Sequence, residues 1–145
     1  MKIAFLDDHL LMAESLAEAV RQRFPDAEAC CYGNWVALEA DLNVKRFDVV
    51  FLDMRLEECL GAELIPYLKE TSADTRIVIV SAFASRDLLI KCLNLGICGY
   101  ISKTSPIGTL LDAITEILRG GSYFDEGLDL GPGDALPSGR PSGGT

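Results

Sequence analysis

Short apolar runs alternate five times with stretches of helical spacing along this chain. Lys2 to Leu6 and Phe47 to Leu52 are brief and rich in branched and aromatic residues, which is how strands buried in a parallel sheet read. After the first run, Leu10, Leu11, Ala13, Leu16, Ala17, Val20 and Phe24 recur at helical spacing until Pro25 stops them. Ala27 to Tyr32 predicts a second strand, and Trp35, Leu38 and Leu42 mark a second helix. Leu60 to Glu70 predicts a third helix, in which Pro66 fits only close to the helix start. Arg76 to Val80 is a β-branched run ending at Ser81. Arg86 to Leu95 predicts a helix closed by Gly96. Gly99 to Ser102 predicts a fifth strand, and Pro106 opens a last helix whose apolar face is Ile107, Leu110, Leu111, Ile114, Ile117 and Leu118. Gly120-Gly121 ends it.

The pattern is that of an α/β protein with (βα)5 order and connections short enough for right-handed crossovers. The folded unit is expected over residues 1–122, followed by a flexible Gly/Pro-rich tail or linker over 123–145. Residues 125–145 hold six of the 13 glycines and three of the six prolines, too little apolar periodicity to build a core.

Composition narrows the function. The 145 residues suit one domain, with 49% apolar and 24% charged residues. A formal charge of −9 disfavours nucleic acid or an anionic membrane as a direct partner. No apolar stretch approaches the roughly 18 residues of a membrane span, and no secretory signal opens the chain. Cys30, Cys31, Cys59, Cys92 and Cys98 lack Cys-x-x-Cys spacing and read as reduced thiols of a cytoplasmic protein. With His9 the sole histidine, a zinc centre is not expected.

Strands of a parallel sheet end along one edge, where ligands bind. The predicted strand ends collect Asp7, Asp8, Asp53, Ser81 and Lys103. Each has an innocent reading alone: an Asp-Asp pair after a strand caps a helix, Asp53 caps a turn, Ser81 ends a strand and Lys103 is solvated. Their order and spacing together point to phosphoryl transfer. Carboxylate oxygens suit Mg²⁺, a third carboxylate can act as nucleophile, and a hydroxyl and an ammonium can hold phosphoryl oxygens. His9 is expected to start the first helix facing solvent, without a role.

Phe-Leu-Asp-Asp-His (5–9), Val-Val-Phe-Leu-Asp (49–53), Ile-Val-Ile-Val-Ser-Ala (77–82) and Gly-Tyr-Ile-Ser-Lys (99–103) resemble the receiver domains of two-component response regulators. Lys-x-x-x-Pro at 103–106 resembles the NarL/FixJ-type subgroup. The resemblance covers residues 1 to about 124. It implies a flavodoxin-like, doubly wound parallel sheet of five strands in the order 2-1-3-4-5. It implies that Asp53 accepts a phosphoryl group from a sensor histidine kinase. Asp8, Asp53 and the backbone carbonyl of Arg55 would ligate Mg²⁺, with Asp7 acting mostly through its waters. Ser81 and Lys103 would contact the phosphoryl group, and Tyr100 would change rotamer as Ser81 moves inward. Arg55 and Phe83 stand where the family tunes dephosphorylation.

The family's frequent Met-Pro after the phosphoacceptor is replaced here by Leu56-Glu57, so a more mobile or partner-shaped loop is expected. The resemblance further implies a phosphorylation-dependent homodimer through residues 84–119, where Leu88, Leu89, Cys92 and the last helix are the places to seek apolar patches. Kinase recognition is expected on the first helix around Ala13 to Val20. The subgroup's helix-turn-helix domain would not fit in residues 125–145, so the chain is expected to be a receiver cut from a transcriptional regulator, reaching DNA only through an output domain it lacks. It is expected not to be an enzyme beyond weak self-phosphorylation and autodephosphorylation.

Three other readings compete. A haloacid-dehalogenase-type phosphatase needs Asp-x-Asp, which Asp53-Met54-Arg55 does not supply. An FMN binder would have its phosphate repelled by Asp7-Asp8. A degenerate or stand-alone receiver acting as a protein-binding scaffold is the alternative that the unusual loop keeps open.

Overall fold

The computed structural model describes residues 1–56, 59–82 and 86–124. Strands and helices alternate as β1 (Lys2–Leu6), α1 (Leu10–Arg23), β2 (Glu28–Tyr32), α2 (Trp35–Leu42), β3 (Val49–Asp53), α3 (Ile65–Thr71), β4 (Arg76–Ser81), α4 (Arg86–Asn94), β5 (Gly99–Ser102) and α5 (Ile107–Leu118). A two-residue strand, β6 (Tyr123–Phe124), follows. All strands are parallel in one sheet ordered β2-β1-β3-β4-β5-β6. This is the doubly wound flavodoxin-like order expected, extended by one strand. The sheet therefore runs past residue 122, because Tyr123 and Phe124 pair with Gly99 and Tyr100 of β5. Beyond residue 124 the flexible tail expected over 123–145 lies outside the described residues.

Side chains of each strand alternate between two cores, as the two-residue period of a pleated strand requires. Ile3, Phe5, Val49, Phe51, Val78, Val80 and Ile101 face one side, where α1 and α5 cover them through Leu16, Val20, Ile114 and Ile117. Ala4, Leu6, Val50, Leu52, Ile77, Ile79 and Tyr100 face the other, under α2, α3 and α4. On the first side the Phe5 and Phe51 rings stack with centroids 4.9 Å apart. Burial on both faces explains why these strands read as unbroken apolar runs.

Helix ends follow local chemistry. Asn34 caps α2 by accepting the Ala37 amide at 2.9 Å. Gly96 and Gly120 take positive φ, +93° and +97°, which only glycine adopts cheaply after a helix. The predicted helix over 60–70 is divided: Gly61–Leu64 forms a 3-10 turn, and α3 begins at Ile65 with Pro66 in its first turn. There the missing proline N–H costs no helical hydrogen bond.

Some apolar positions behave differently from the pattern. Leu89 and Cys92 of α4 are buried in the core. Leu10, Leu11 and Ile107, in the first turns of α1 and α5, are exposed, Leu11 by 87%. Those turns lie at the carboxyl edge, where the sheet beneath them ends.

Close packing pins β5. A methyl group on Gly99 would stand 2.8 Å from Ile117 Cδ1 and 3.2 Å from Val78 Cγ1. Gly99→Ala is expected to lower unfolding free energy by about 1–3 kcal/mol through overpacking. Ile117→Val removes the opposing methyl. In the double variant, urea denaturation should therefore show a loss smaller than the sum of the two single losses.

Candidate functional site

The register brings the strand ends level. Leu6 pairs with Leu52, which sets Asp7 beside Asp53, and Ser81 pairs with Ser102, which sets Lys103 one residue beyond. The Asp7 amide donates to the Tyr32 carbonyl, Met54 to Val80 and Lys103 to Ser81, at 2.7–3.0 Å. These bonds carry the ladder one residue past the strands, so the functional side chains leave from fixed backbone.

Asp7, Asp8, Asp53 and Lys103 meet in one hollow. Lys103 Nζ lies 2.7 Å from Asp7 Oδ2 and 3.1 Å from Asp53 Oδ2, with all three side chains nearly buried. Asp8 Oδ1 is buried with no hydrogen-bond partner among the described residues. The helix-capping reading fails here. The N-cap of α1 is His9, with no side-chain capping bond, while Asp7 Oδ1 accepts the His9 amide at 2.8 Å.

Electrostatics follow from this crowding. Burial raises the Asp53 carboxyl to about 6, the Asp7 charge adds to the rise, and Lys103 opposes it. Three ionised carboxylates and one ammonium leave the hollow two negative charges in excess, an imbalance matched by one divalent cation. One donor atom each from Asp7, Asp8, His9 and Asp53 fall within 4.8 Å of one another. Together with the orphaned Asp8 oxygen, this oxygen-rich set fits a hard divalent ion such as Mg²⁺.

The remaining predicted residues surround the hollow. Ser81 is buried at the end of β4. Tyr100 is buried too, and its ring belongs to the core beneath α4. Burial raises the phenol pKa, and the adjoining Ser81 hydroxyl draws it back, although Tyr100 Oη makes no hydrogen bond of good geometry. Arg55 is exposed, and its amide reaches Asp53 Oδ1 at a long 3.4 Å. Phe83 lies outside the described residues, as do Glu57 and Glu58.

The described flanks of the loop after Asp53 are held by hydrogen bonds, while Glu57 and Glu58 lie outside the described residues. Leu56 donates to the Cys59 carbonyl, Gly61 to the Met54 carbonyl, and Arg55 forms an antiparallel bridge with Leu60. The Glu63 carboxylate accepts the Leu60 amide at 2.9 Å. Gly61 is obligatory, since a Cβ there would collide with the Asp53 carbonyl oxygen. Sequence reasoning passed over Gly61; His9 starts α1 with its ring 75% exposed, as expected, while its Nδ1 lies 3.4 Å from both Asp7 Oδ1 and Asp8 Oδ1. The signals were a glycine eight positions after Asp53 and the adjacency of His9 to the acid pair.

The fold and this hollow are those of a response regulator receiver domain. The family model of that domain matches residues 3–115, and the chain belongs to this family. A glycerol metabolism activator of Pseudomonas putida is 28% identical over 127 residues, which cover 85% of this chain and 56% of that protein. Transcriptional regulatory proteins recur among the relatives, and the chain spans between 56% and 60% of the length of the first three. The isolated receiver domain of RcsB from Salmonella enterica superposes with a TM-score of 0.77 at 19% identity, covering 88% of this chain and 95% of that one. A structure of two RcsB dimers bound to two parallel DNAs gives the same TM-score, 0.77, at 19% identity over 88% of this chain and 64% of that one.

The raised Asp53 pKa fixes the sign of a pH effect. Between the ordinary carboxylate value of 3.8 and about 6, the folded state binds more protons than the unfolded one, so this group's contribution to stability falls as pH rises through that window. Asp53→Asn should remove that slope. In chelator-treated protein at pH 7 it should stabilise the fold by about 1 kcal/mol after allowing for solvent at the mouth of the hollow. Urea titrations at pH 4.5 and 7 check both statements, and an unchanged slope would contradict them.

Proposed function

We propose that this domain accepts a phosphoryl group on Asp53 from the phosphohistidine of a sensor kinase and passes the signal to a transcriptional output. The placement of Lys103 between Asp7 and Asp53, beside the unpartnered Asp8 oxygen, carries this reading. Asp8, Asp53 and the Arg55 carbonyl would hold Mg²⁺, with Asp7 acting through waters. When bound, the ion neutralises the acid cluster and the phosphoryl oxygens.

An Asp53 carboxylate oxygen attacks phosphorus while the donor P–N bond breaks. Its electron pair returns to the imidazole nitrogen, which is left free to take a proton. The product acyl phosphate adds about two negative charges to one strand end. Lys103 turns from the carboxylates to a phosphoryl oxygen, and the Ser81 hydroxyl donates to another. Tyr100 responds to the movement of Ser81.

The responding face is α4, β5 and α5. Its phosphorylated form pairs with a second copy and regulates transcription through a DNA-binding domain outside this chain. The dimers of RcsB on DNA and the shared length with longer regulators support that output. On α1 the kinase meets exposed Leu11, Glu14, Ser15 and Glu18, because Ala13, Leu16, Ala17 and Val20 face the core. The setting is cytoplasmic, where sensor kinases present phosphohistidine. Among the described residues no helix is long and apolar enough to cross a membrane. Catalytic turnover is confined to slow self-phosphorylation from small donors and slow loss of the phosphate.

Incubation with Mg²⁺ and acetyl phosphate, followed by intact-mass measurement, should show one phosphate adduct. Asp53→Asn abolishes it and Lys103→Ala reduces it at least tenfold; an unchanged wild-type mass favours the scaffold reading. The Arg55 side chain shields the acyl phosphate from water, so the adduct should persist for minutes and decay faster in Arg55→Gly. Decay of the wild-type adduct within seconds contradicts this shielding.

A further inference from the structure

We infer that His9 is a metal ligand of this hollow and sets its preference among divalent ions, drawing it toward first-row transition ions such as Co²⁺ and Ni²⁺. The inference rests on the reading of the hollow as the receiver's metal site. The ring is 75% exposed, yet its Nδ1 faces inward, 3.4 Å from Asp7 Oδ1 and 3.4 Å from Asp8 Oδ1.

Around an ion with bonds of about 2.1 Å, adjacent octahedral donors stand about 3.0 Å apart and opposite ones about 4.2 Å. The donors of Asp8, His9 and Asp53 lie within 4.8 Å of one another, so small side-chain rotations bring them to those separations, with Asp7 still acting through waters. The backbone holds His9 ready, its N–H donating a hydrogen bond to Asp7 Oδ1 at 2.8 Å.

Among the described residues, the polar neighbours recorded for the ring nitrogen are the Asp7 and Asp8 carboxylates, at 3.4 Å each. The imidazole makes no capping bond to α1, and Asp8 Oδ1 remains without a hydrogen-bond partner among the described residues although the ring is its neighbour. Carboxylates, carbonyls and water suit Mg²⁺, whereas imidazole nitrogen adds selectively to the affinity for later transition ions. Replacing one bound water by Nδ1 therefore changes the ratio of affinities more than it changes Mg²⁺ binding.

Calorimetric titration of the whole chain at pH 8 with MgCl₂, CoCl₂ and NiCl₂ tests this in the wild type, His9→Gln and His9→Ala. Circular dichroism confirms that each variant is folded. Both variants should lower the Co²⁺-to-Mg²⁺ and Ni²⁺-to-Mg²⁺ affinity ratios by about tenfold. The visible absorption of the Co²⁺ complex should change with loss of the nitrogen donor. Asp8→Asn is the control that the ions are in this hollow and not on cysteines, and it should weaken all three. If Mg²⁺ binds but the ratios do not move, or if all three ions weaken equally in the His9 variants, His9 is not a selective ligand and the inference falls while the metal site stands. If the wild type binds no divalent ion, both fall.

Discussion

Like charges held close together govern this molecule. Each pair of carboxylates in the hollow costs on the order of 4 kcal/mol at about 4 Å with an effective dielectric near 20. One ammonium, on Lys103, reaches two of the three acids, and the nearest cationic candidate to Asp8 among the described residues is the His9 ring at 3.4 Å. The sheet tolerates this because its strands are buried on both faces and bonded beyond their ends, so the acids cannot retreat. A rigid frame thus holds an unfavourable charge cluster in place at the strand ends.

Much of this was legible in the sequence because parallel strands advertise themselves twice, by apolar runs and by what terminates them. Asp53 and Ser81 each close a strand, and the order of runs set them on one edge. Gly96 and Gly120 were readable for a different reason: a left-handed residue after a helix is a local demand. What stayed hidden depended on three-dimensional distances. The inward Nδ1 of His9 follows from a backbone turn at φ −90°, ψ 81°, which no periodicity reveals. The Arg55–Leu60 bridge and the Gly61 approach to Asp53 arise from a loop closing on itself. Two residues are too few to show a strand period, so β6 was invisible until β5 was placed.

Coupling from the hollow outward has a short physical path. Ser81 ends β4 opposite Ser102, Tyr100 pairs with Ile79 two residues earlier and extends its phenol toward the Ser81 side chain, and Lys103 follows three residues after Tyr100. Under the proposed phosphorylation, a group contacted by both Ser81 and Lys103 would act on β4 and β5 together. The Tyr100 phenol, buried without a good hydrogen bond, is the group whose polar requirement a shift of Ser81 can meet or leave unmet.

The little β6 strand has a practical meaning for anyone shortening this chain. Without Tyr123 and Phe124, the flank of β5 at Gly99 and Tyr100 would present open amides and carbonyls to any passing extended peptide. A version cut at the end of α5 would keep every side chain of the acidic hollow yet carry a sticky margin, inviting strand-to-strand clumping. Those two aromatic residues act as a hem that keeps the cloth from unravelling into its neighbours.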